Sequence, residues 1–171
     1  DIFFFCNKLY HYKKNISWRC FILKIALGSD HGGLSLKNEI IKHLKSKNIE
    51  AKDFGTYTED SCDYPEYALK VAEEVVAGNF ELGILVCGTG IGVSISANKV
   101  PGIRAALCSD TFSAHATREH NNANILTLGA RVIGTGLALD IVDTFISSKF
   151  QGDRHQRRID KITEIEKKYS K

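Results

Sequence analysis

A cysteine that precedes a glycine-rich turn, at residues 87–92, points more directly to chemistry than any other feature of this chain. The residues before it, Ile84, Leu85 and Val86, are apolar without alternation, which is typical of a strand buried on both faces. Glycines let a backbone approach a ligand closely, and a helix that begins beyond the turn offers unpaired N–H groups. A thiol beside such a helix end loses its proton more readily. The pattern predicts a reactive Cys87, although this loop alone leaves open a buried, inert cysteine.

Two common phosphate-binding loops do not match this turn. A dinucleotide fingerprint needs a third glycine at the position that Val93 holds. A P-loop needs a Gly-Lys-Ser/Thr run, and the sequence contains none. The turn is therefore predicted to serve a different kind of ligand.

Polar residues with acid–base or sugar-binding chemistry stand near other strands. Asp30 and His31 follow the first predicted strand. Asp30 is a candidate to bind sugar hydroxyls, and the simpler alternative is that it caps a helix. His120 and Asn121 lie between a helix and the fifth strand. An imidazole titrates near neutral pH, so His120 is a candidate acid–base group, with a polar turn as the alternative.

Two arginines four residues apart, Arg154 and Arg158, project from one face of a predicted helix near its beginning. Two guanidinium groups beside a helix N-terminus are suited to bind a phosphate. The alternative is a solvated basic face, because Arg157 and Lys161 lie nearby. These residues alone favour the solvated face.

Composition bounds the class of protein. The chain has 171 residues, 43% hydrophobic and 25% charged, which predicts one globular domain. Residues 1–23 carry the whole net charge of +3, so the rest is neutral and gives no electrostatic case for binding nucleic acid. No apolar run approaches about 18 residues, so no membrane span is predicted. The five cysteines form no zinc-ligand spacing and suggest reduced thiols, with no metal.

The first 23 residues differ in character from the remainder. Residues 1–23 are aromatic and basic without periodicity, and we expect a disordered or artefactual extension, with a targeting or partner-binding arm as the alternative. Residues 24–171 alternate strand and helix and form the predicted domain. Five such units predict an α/β fold: a doubly wound five-stranded parallel sheet with helices on both faces, Rossmann-like or flavodoxin-like. The predicted strands are 24–28, 49–54, the segment ending at Cys87, 103–108 and 123–128, and the later helices are 111–119, 137–148 and 153–168.

Taken together, several runs resemble one family closely: the type B ribose-5-phosphate isomerases and their sugar-phosphate isomerase relatives. The resemblance covers Lys24 to about Lys168. The matching runs are residues 28–33, Asp63-Tyr64-Pro65, residues 87–92, Ala97-Asn98-Lys99, Ile103-Arg104-Ala105, His120-Asn121, Gly129-Ala130-Arg131, and Arg154-His155 with Arg158.

The resemblance implies an enzyme that interconverts D-ribose 5-phosphate and D-ribulose 5-phosphate through a cis-enediolate, in the non-oxidative pentose phosphate pathway. It implies no metal and no organic cofactor. Two alternatives stay open: an isomerase of a 6-phosphohexose such as allose or galactose 6-phosphate, and a sugar-phosphate-binding module without turnover.

Residue roles follow from the resemblance as well. Some family members use a glutamate at the position of Val93, whereas this chain matches those that use the cysteine, so Cys87 is the implied base. His120 opens the furanose ring, and Thr89 completes the catalytic set. The resemblance also implies a cytoplasmic homodimer or homotetramer whose sites are completed across the interface. The implied substrate-binding residues are Asp30, His31, Gly88, Gly90, Ile91, Gly92, Asn121, Arg131, Arg154 and Arg158.

Overall fold

Five parallel strands form the central sheet of the computed structural model, which describes residues 23–170. The strands lie in the order β2-β1-β3-β5-β4, and every neighbouring pair is parallel. Their bounds are β1 Lys24–Ser29, β2 Glu50–Asp53, β3 Leu82–Cys87, β4 Ala105–Leu107 and β5 Ile125–Gly129. The predicted extension lies outside the described residues, except for Leu23, which packs against the core.

Helices cover both faces of this sheet. Their bounds are α1 Leu34–Ser46, α2 Tyr64–Val76, α3 Ile91–Ala97, α4 Thr111–Asn121, α5 Thr135–Ser147 and α6 Arg154–Tyr169, with a short 3-10 helix over His31–Gly33. One core contains Ile40 of α1 and Phe145 of α5, while the other contains Val71 of α2 and Val93 of α3. This arrangement confirms the predicted doubly wound α/β fold.

The central strands are the most completely buried part of the chain. All six residues of β3 are buried, as their continuous apolar pattern predicted. The edge strand β4 is shorter than the predicted segment 103–108, and Leu107 is 43% exposed. Ile103 and Cys108, at the two ends of the predicted segment, are buried although they lie outside the strand.

The parallel strands give the sheet two distinct ends. The segments that follow β1, β3 and β5 lie at one end, which we call the carboxyl edge. The segments that enter the strands lie at the other, the amino edge. Asn124 is at the amino edge, where its carbonyl oxygen accepts from Gly83 N–H at 2.8 Å and its Oδ1 accepts from Arg104 N–H at 2.8 Å. Within residues 23–170, no helix is both long enough and apolar enough to span a bilayer.

Candidate active site

Cys87 is the last residue of β3, at the centre of the carboxyl edge. Its side chain is buried, and Sγ accepts a hydrogen bond from the backbone N–H of Gly90 at 3.1 Å. Gly90 has φ +77°, and a Cβ at this position would lie 2.8 Å from the carbonyl carbon of Leu128. Only glycine fits there, so the turn that places an N–H against the sulfur depends on this residue type.

Thr89 and Ile91 complete the turn that leads from Cys87 into α3. Thr89 is exposed, and its Oγ1 accepts from Ile91 N–H at 3.4 Å. Helix α3 then begins at Ile91, so the first N–H groups of the helix lie next to the cysteine.

Asp30 and His31 lie beside this turn because β1 pairs directly with β3. Asp30 N–H donates to Val86 O at 3.3 Å, and Asp30 Oδ1 accepts from Gly33 N–H at 3.0 Å. The helix-capping alternative for Asp30 is therefore realised. The capping bond leaves the other oxygen of this carboxylate for a further partner. His31 Nδ1 accepts from the backbone N–H of Cys62 at 3.3 Å, a contact with the β2–α2 loop that no sequence pattern indicated.

Arg131 reaches the same place from the end of β5. Its N–H donates to Gly88 O at 3.0 Å, which fixes the backbone of the two loops together. A Cβ built at Gly88 or Gly32 would lie 3.5 Å from the guanidinium group of Arg131. The arginine side chain therefore lies over both glycine loops. We call this group the cysteine region: Asp30, His31, residues 87–92 and Arg131.

Tyr64 adds an aromatic wall to the cysteine region. A Cβ at Gly92 would lie 2.7 Å from the Tyr64 ring, so this ring packs directly on the first turn of α3. Before the structure, Asp63-Tyr64-Pro65 was only one of the runs that resemble the family, and no role was predicted for Tyr64. The proline at N1 was the available signal, because it fixes where α2 begins.

His120 occupies a second location, in the last turn of α4. Its ring stacks on that of His155 in α6, with centroids 4.4 Å apart and planes 7° apart. Arg154 and Arg158 belong to the first turns of the same helix, and both are exposed. Asn121 follows His120, and its carbonyl oxygen accepts from Arg104 Nε at 3.1 Å. We call this group the histidine region: His120, Asn121, Arg154, His155 and Arg158.

His155 also belongs to this region, although the sequence predicted no role for it. The side chain is buried, and its pKa is lowered by desolvation, then by His120, Arg154 and Arg158. This shift favours the neutral form of the imidazole. Its position directly after Arg154 was the only sequence signal.

The two regions lie at opposite edges of the sheet. Cys87 pairs with Gly129 at the end of β5, whereas Asn121 is four residues before the start of β5 at Ile125. The five residues of β5 separate the regions by about 15 Å, at roughly 3.3 Å per residue. The predicted site residues therefore form two groups within one copy of the protein, the cysteine region and the histidine region.

Comparison with known proteins assigns this chain to a family. The sequence model of the ribose/galactose isomerase family matches residues 25–162. The chain belongs to the ribose/galactose isomerase family. This confirms the predicted resemblance, and the match covers both the cysteine region and the histidine region.

Individual relatives agree with the family. A putative sugar phosphate isomerase of Bacillus subtilis is 55% identical over 147 residues, which are 85% of this chain and 99% of that protein. Ribose-5-phosphate isomerase B of Escherichia coli is 48% identical over 145 residues, covering 85% of this chain and 97% of that protein.

Solved structures agree in the fold. Ribose-5-phosphate isomerase B of Clostridium thermocellum superposes with a TM-score of 0.86 at 59% identity, covering 86% of this chain and all of that chain. The enzyme of Mycoplasma genitalium, solved with bound ribulose-5-phosphate, superposes with a TM-score of 0.81 at 46% identity, covering 85% of this chain and 97% of that chain.

Proposed function

We propose that this protein interconverts D-ribose 5-phosphate and D-ribulose 5-phosphate. The observation that carries the proposal is the sulfur of Cys87 at the carboxyl edge, held by Gly90 N–H and flanked by Asp30 and Arg131. Two relatives support this proposal, the ribose-5-phosphate isomerases B of Escherichia coli and Clostridium thermocellum. They are 48% and 59% identical to this chain, and each match covers nearly the whole length of the relative. In the non-oxidative pentose phosphate pathway, such an enzyme supplies either pentose phosphate from the other.

Cys87 moves the proton in this reaction. Its thiolate takes the proton from C2 of the open-chain aldose, which leaves an enediolate, and the thiol then returns the proton to C1. A proton moves in parallel from O2 to O1, so that the aldehyde becomes an alcohol and the C2 hydroxyl becomes the ketone. Val93 holds the position at which, by the resemblance, other family members carry a glutamate, and it is buried and supplies no carboxylate, which supports Cys87 as the base.

The turn after Cys87 stabilises the charge that develops on oxygen. The donors of this turn are the N–H groups of residues 88–92, of which those of Gly90 and Ile91 donate to Cys87 Sγ and Thr89 Oγ1 in the described structure. Fixed donors aimed at an oxyanion lower the barrier most effectively. Thr89 contributes its hydroxyl at the mouth of the turn. Asp30 accepts from sugar hydroxyls, and His31 lies toward the phosphate end of the substrate.

The histidine region supplies the remaining functions. His120 transfers a proton to the furanose ring oxygen and opens the ring, because an imidazole exchanges protons near neutral pH. Asn121 binds a sugar hydroxyl. Arg154 and Arg158, with Arg131 of the cysteine region, bind the phosphate through charge-assisted hydrogen bonds.

The separation of the two regions supports a site that is completed by a second copy of the chain. We propose a homodimer in which the histidine region of each copy faces the cysteine region of the other, so that a two-fold axis creates two equal sites. A homotetramer of two such dimers satisfies the same geometry. Both regions border apolar surface: Ile91 and Ile95 are 51% and 58% exposed beside the cysteine turn, and a groove of about 910 Å³ beside Asn121 is lined by Ile162 and Ile165. Large exposed apolar patches mark association surfaces.

The proposed role of Cys87 also favours a reducing compartment of the cell. Cys87 serves as a base only as a reduced thiol, and within residues 23–170 the cysteines Cys62, Cys87 and Cys108 form no disulfide. Reduced thiols persist in the cytoplasm, which we propose as the location. Besides the second copy of the chain, the proposed partner is a small sugar phosphate, without nucleic acid or membrane.

Isomerase assays on two sugar phosphates test the function. We expect turnover of D-ribose 5-phosphate with a kcat/KM at least about tenfold above that for D-allose 6-phosphate. The reverse preference would indicate a hexose phosphate isomerase. Tight binding of both sugars without turnover of either would show a binding module and would contradict the proposal.

A further inference from the structure

The stack of His155 on His120 joins two helices that are remote in sequence. The rings are separated by 4.4 Å between centroids and are nearly parallel, at 7°. Only 5% of His155 is exposed, so its ring is fixed by the surrounding protein, whereas His120 is only partly buried. The buried ring therefore forms a rigid surface beneath the more accessible one.

The hydrogen bond that His155 makes defines its tautomer. Arg154 Nε donates to His155 Nε2 at 3.4 Å, so Nε2 presents a lone pair and a neutral ring carries its proton on Nδ1. The groups that face this imidazole are His120 of α4 and Arg154, Arg158 and Asp153 at the start of α6. Desolvation, followed by the three cationic or titratable neighbours, lowers the pKa of His155, and Asp153 opposes this only in part.

We propose that His155 is a positioning residue that holds the His120 imidazole, by stacking, in the orientation needed to transfer a proton to the sugar ring oxygen. The inference rests on the proposed function, because it assigns a partner to the ring-opening group of that reaction. His155 itself does not touch the substrate in this arrangement.

The physical argument has two parts. An imidazole in the last turn of a helix samples several rotamers, and a flat buried partner removes all but those parallel to it. A neutral partner also leaves His120 free to carry a proton, since two stacked imidazolium rings would repel each other. Arg154 precedes His155 in α6, so the same turn of helix that binds phosphate also fixes the position of His120.

Two substitutions separate stacking from other roles of His155. His155→Ala removes the ring, while His155→Phe keeps a flat buried ring without nitrogen atoms. The substrates are D-ribose 5-phosphate, which is largely cyclic, and D-erythrose 4-phosphate, which cannot close a furanose ring because its O4 carries the phosphate. His115→Ala is the matched control, since His115 lies on the same helix as His120 but contacts Phe112 and Glu119.

We expect His155→Ala to lower kcat on D-ribose 5-phosphate about tenfold and to change kcat on D-erythrose 4-phosphate less than about twofold, because misplaced catalytic groups cost up to about a hundredfold. His155→Phe restores most of the loss, and His115→Ala changes neither substrate. Equal losses on both substrates, or a phenylalanine variant as slow as the alanine variant, would overturn the proposal.

An NMR measurement tests the stack of His155 on His120 independently of turnover, so it applies even if the proposed function is wrong. In protein with isotope-labelled histidine, the ring of His155 shifts the NMR signal of the His120 ring proton. We expect His155→Phe to retain this ring-current shift and His155→Ala to lose it. An unchanged His120 signal in the alanine variant would refute the stack, whereas wild-type protein inactive on both sugars would refute only the proposed function.

Discussion

The cysteine region and the histidine region are held in place by different kinds of contact. Backbone hydrogen bonds hold the first: Ala130 N–H donates to Cys87 O at 2.9 Å, and Arg131 N–H donates to Gly88 O at 3.0 Å. Side chains hold the second, through the His120–His155 stack and the hydrogen bond from Arg104 to Asn121 O. The sulfur proposed to react thus lies at the end of a fully buried strand, whereas the groups proposed to open the ring and, together with Arg131, to bind phosphate lie at helix ends.

This contrast has a chemical reason. Proton transfer to and from carbon needs atoms placed within a few tenths of an ångström, which a central buried strand provides. Phosphate binding by two exposed arginines tolerates more movement, because charge–charge attraction falls off slowly with distance. We therefore expect substitutions in the cysteine region to affect turnover and those in the histidine region to affect affinity and ring opening.

The largest effect is expected at Cys87. Cys87→Ser should lower kcat by at least about 10²-fold, because an alcohol is too weak a base near neutral pH and general-base loss costs on the order of 10²–10⁴. Affinity for a phosphorylated substrate analogue should stay within about twofold. Steady-state kinetics and analogue titration measure both quantities.

Cys108→Ala is the matched control for Cys87→Ser. Burial, with Asp110 nearby, raises the pKa of the Cys108 thiol to about 11, so it stays protonated and is not expected to act as a base. Its loss should affect stability without lowering kcat by more than about twofold. A serine variant of Cys87 that kept more than about a tenth of the wild-type rate would remove this cysteine from the base role.

Mixed dimers test whether the two regions combine across an interface. We pair Cys87→Ser with the double variant Arg154→Ala/Arg158→Ala, each inactive or nearly so alone. Heterodimers isolated through two tags contain one site with all wild-type groups, so activity should return to about half that of wild type. Heterodimers as inactive as the parents would place the whole site within one copy, and a monomer in solution would exclude the proposed dimer.

The arginines of α6 are expected to control affinity. Arg154→Ala and Arg158→Ala should each weaken a phosphate-bearing inhibitor about ten- to a hundredfold, because a shielded charged hydrogen bond contributes roughly 1.5–3 kcal/mol. Calorimetric titration measures the affinity. Lys167→Ala is the control, as a cation about 13 Å farther along the same helix than Arg158. A similar loss in that variant would show a diffuse charge effect in place of a phosphate site.

A smaller and more selective effect is expected at His120. His120→Asn should slow the cyclic substrate D-ribose 5-phosphate about tenfold, less than a full general-acid loss, because sugar rings also open without catalysis. The rate on D-erythrose 4-phosphate, which has no furanose ring to open, should change less than about twofold. Equal losses on the two substrates would contradict the ring-opening assignment.

Removing residues 1–22 is expected to have the smallest effect. The described sheet begins at Lys24, Leu23 packs on the core, and the family match begins at residue 25. The shortened protein should keep its kcat/KM within about twofold and its Tm within about 2 °C. Loss of activity or of solubility would make this segment part of the working enzyme.

The sequence predicted the sequential elements well because they rest on local patterns. The continuous apolar residues of β3 indicated a buried strand, which the structure has over Leu82–Cys87. The turn after Cys87 was recognisable since its glycines follow that strand directly. The contacts of Cys62 with His31 and of Tyr64 with Gly92 were not predicted, because they depend on how the β2–α2 connection packs on neighbouring loops.

Some features of this protein were thus determined by the sequence and others only by the tertiary structure. The sequence by itself determined the alternation of strands and helices, the family and the identity of the candidate groups, because hydrophobic periodicity and residue type are local properties. Only the tertiary structure decided that β5 lies between β3 and β4, that His155 stacks on His120, and that Cys87 and His120 lie at opposite edges. Lateral strand pairing and helix packing join residues remote in the sequence, and no local pattern records which of them meet.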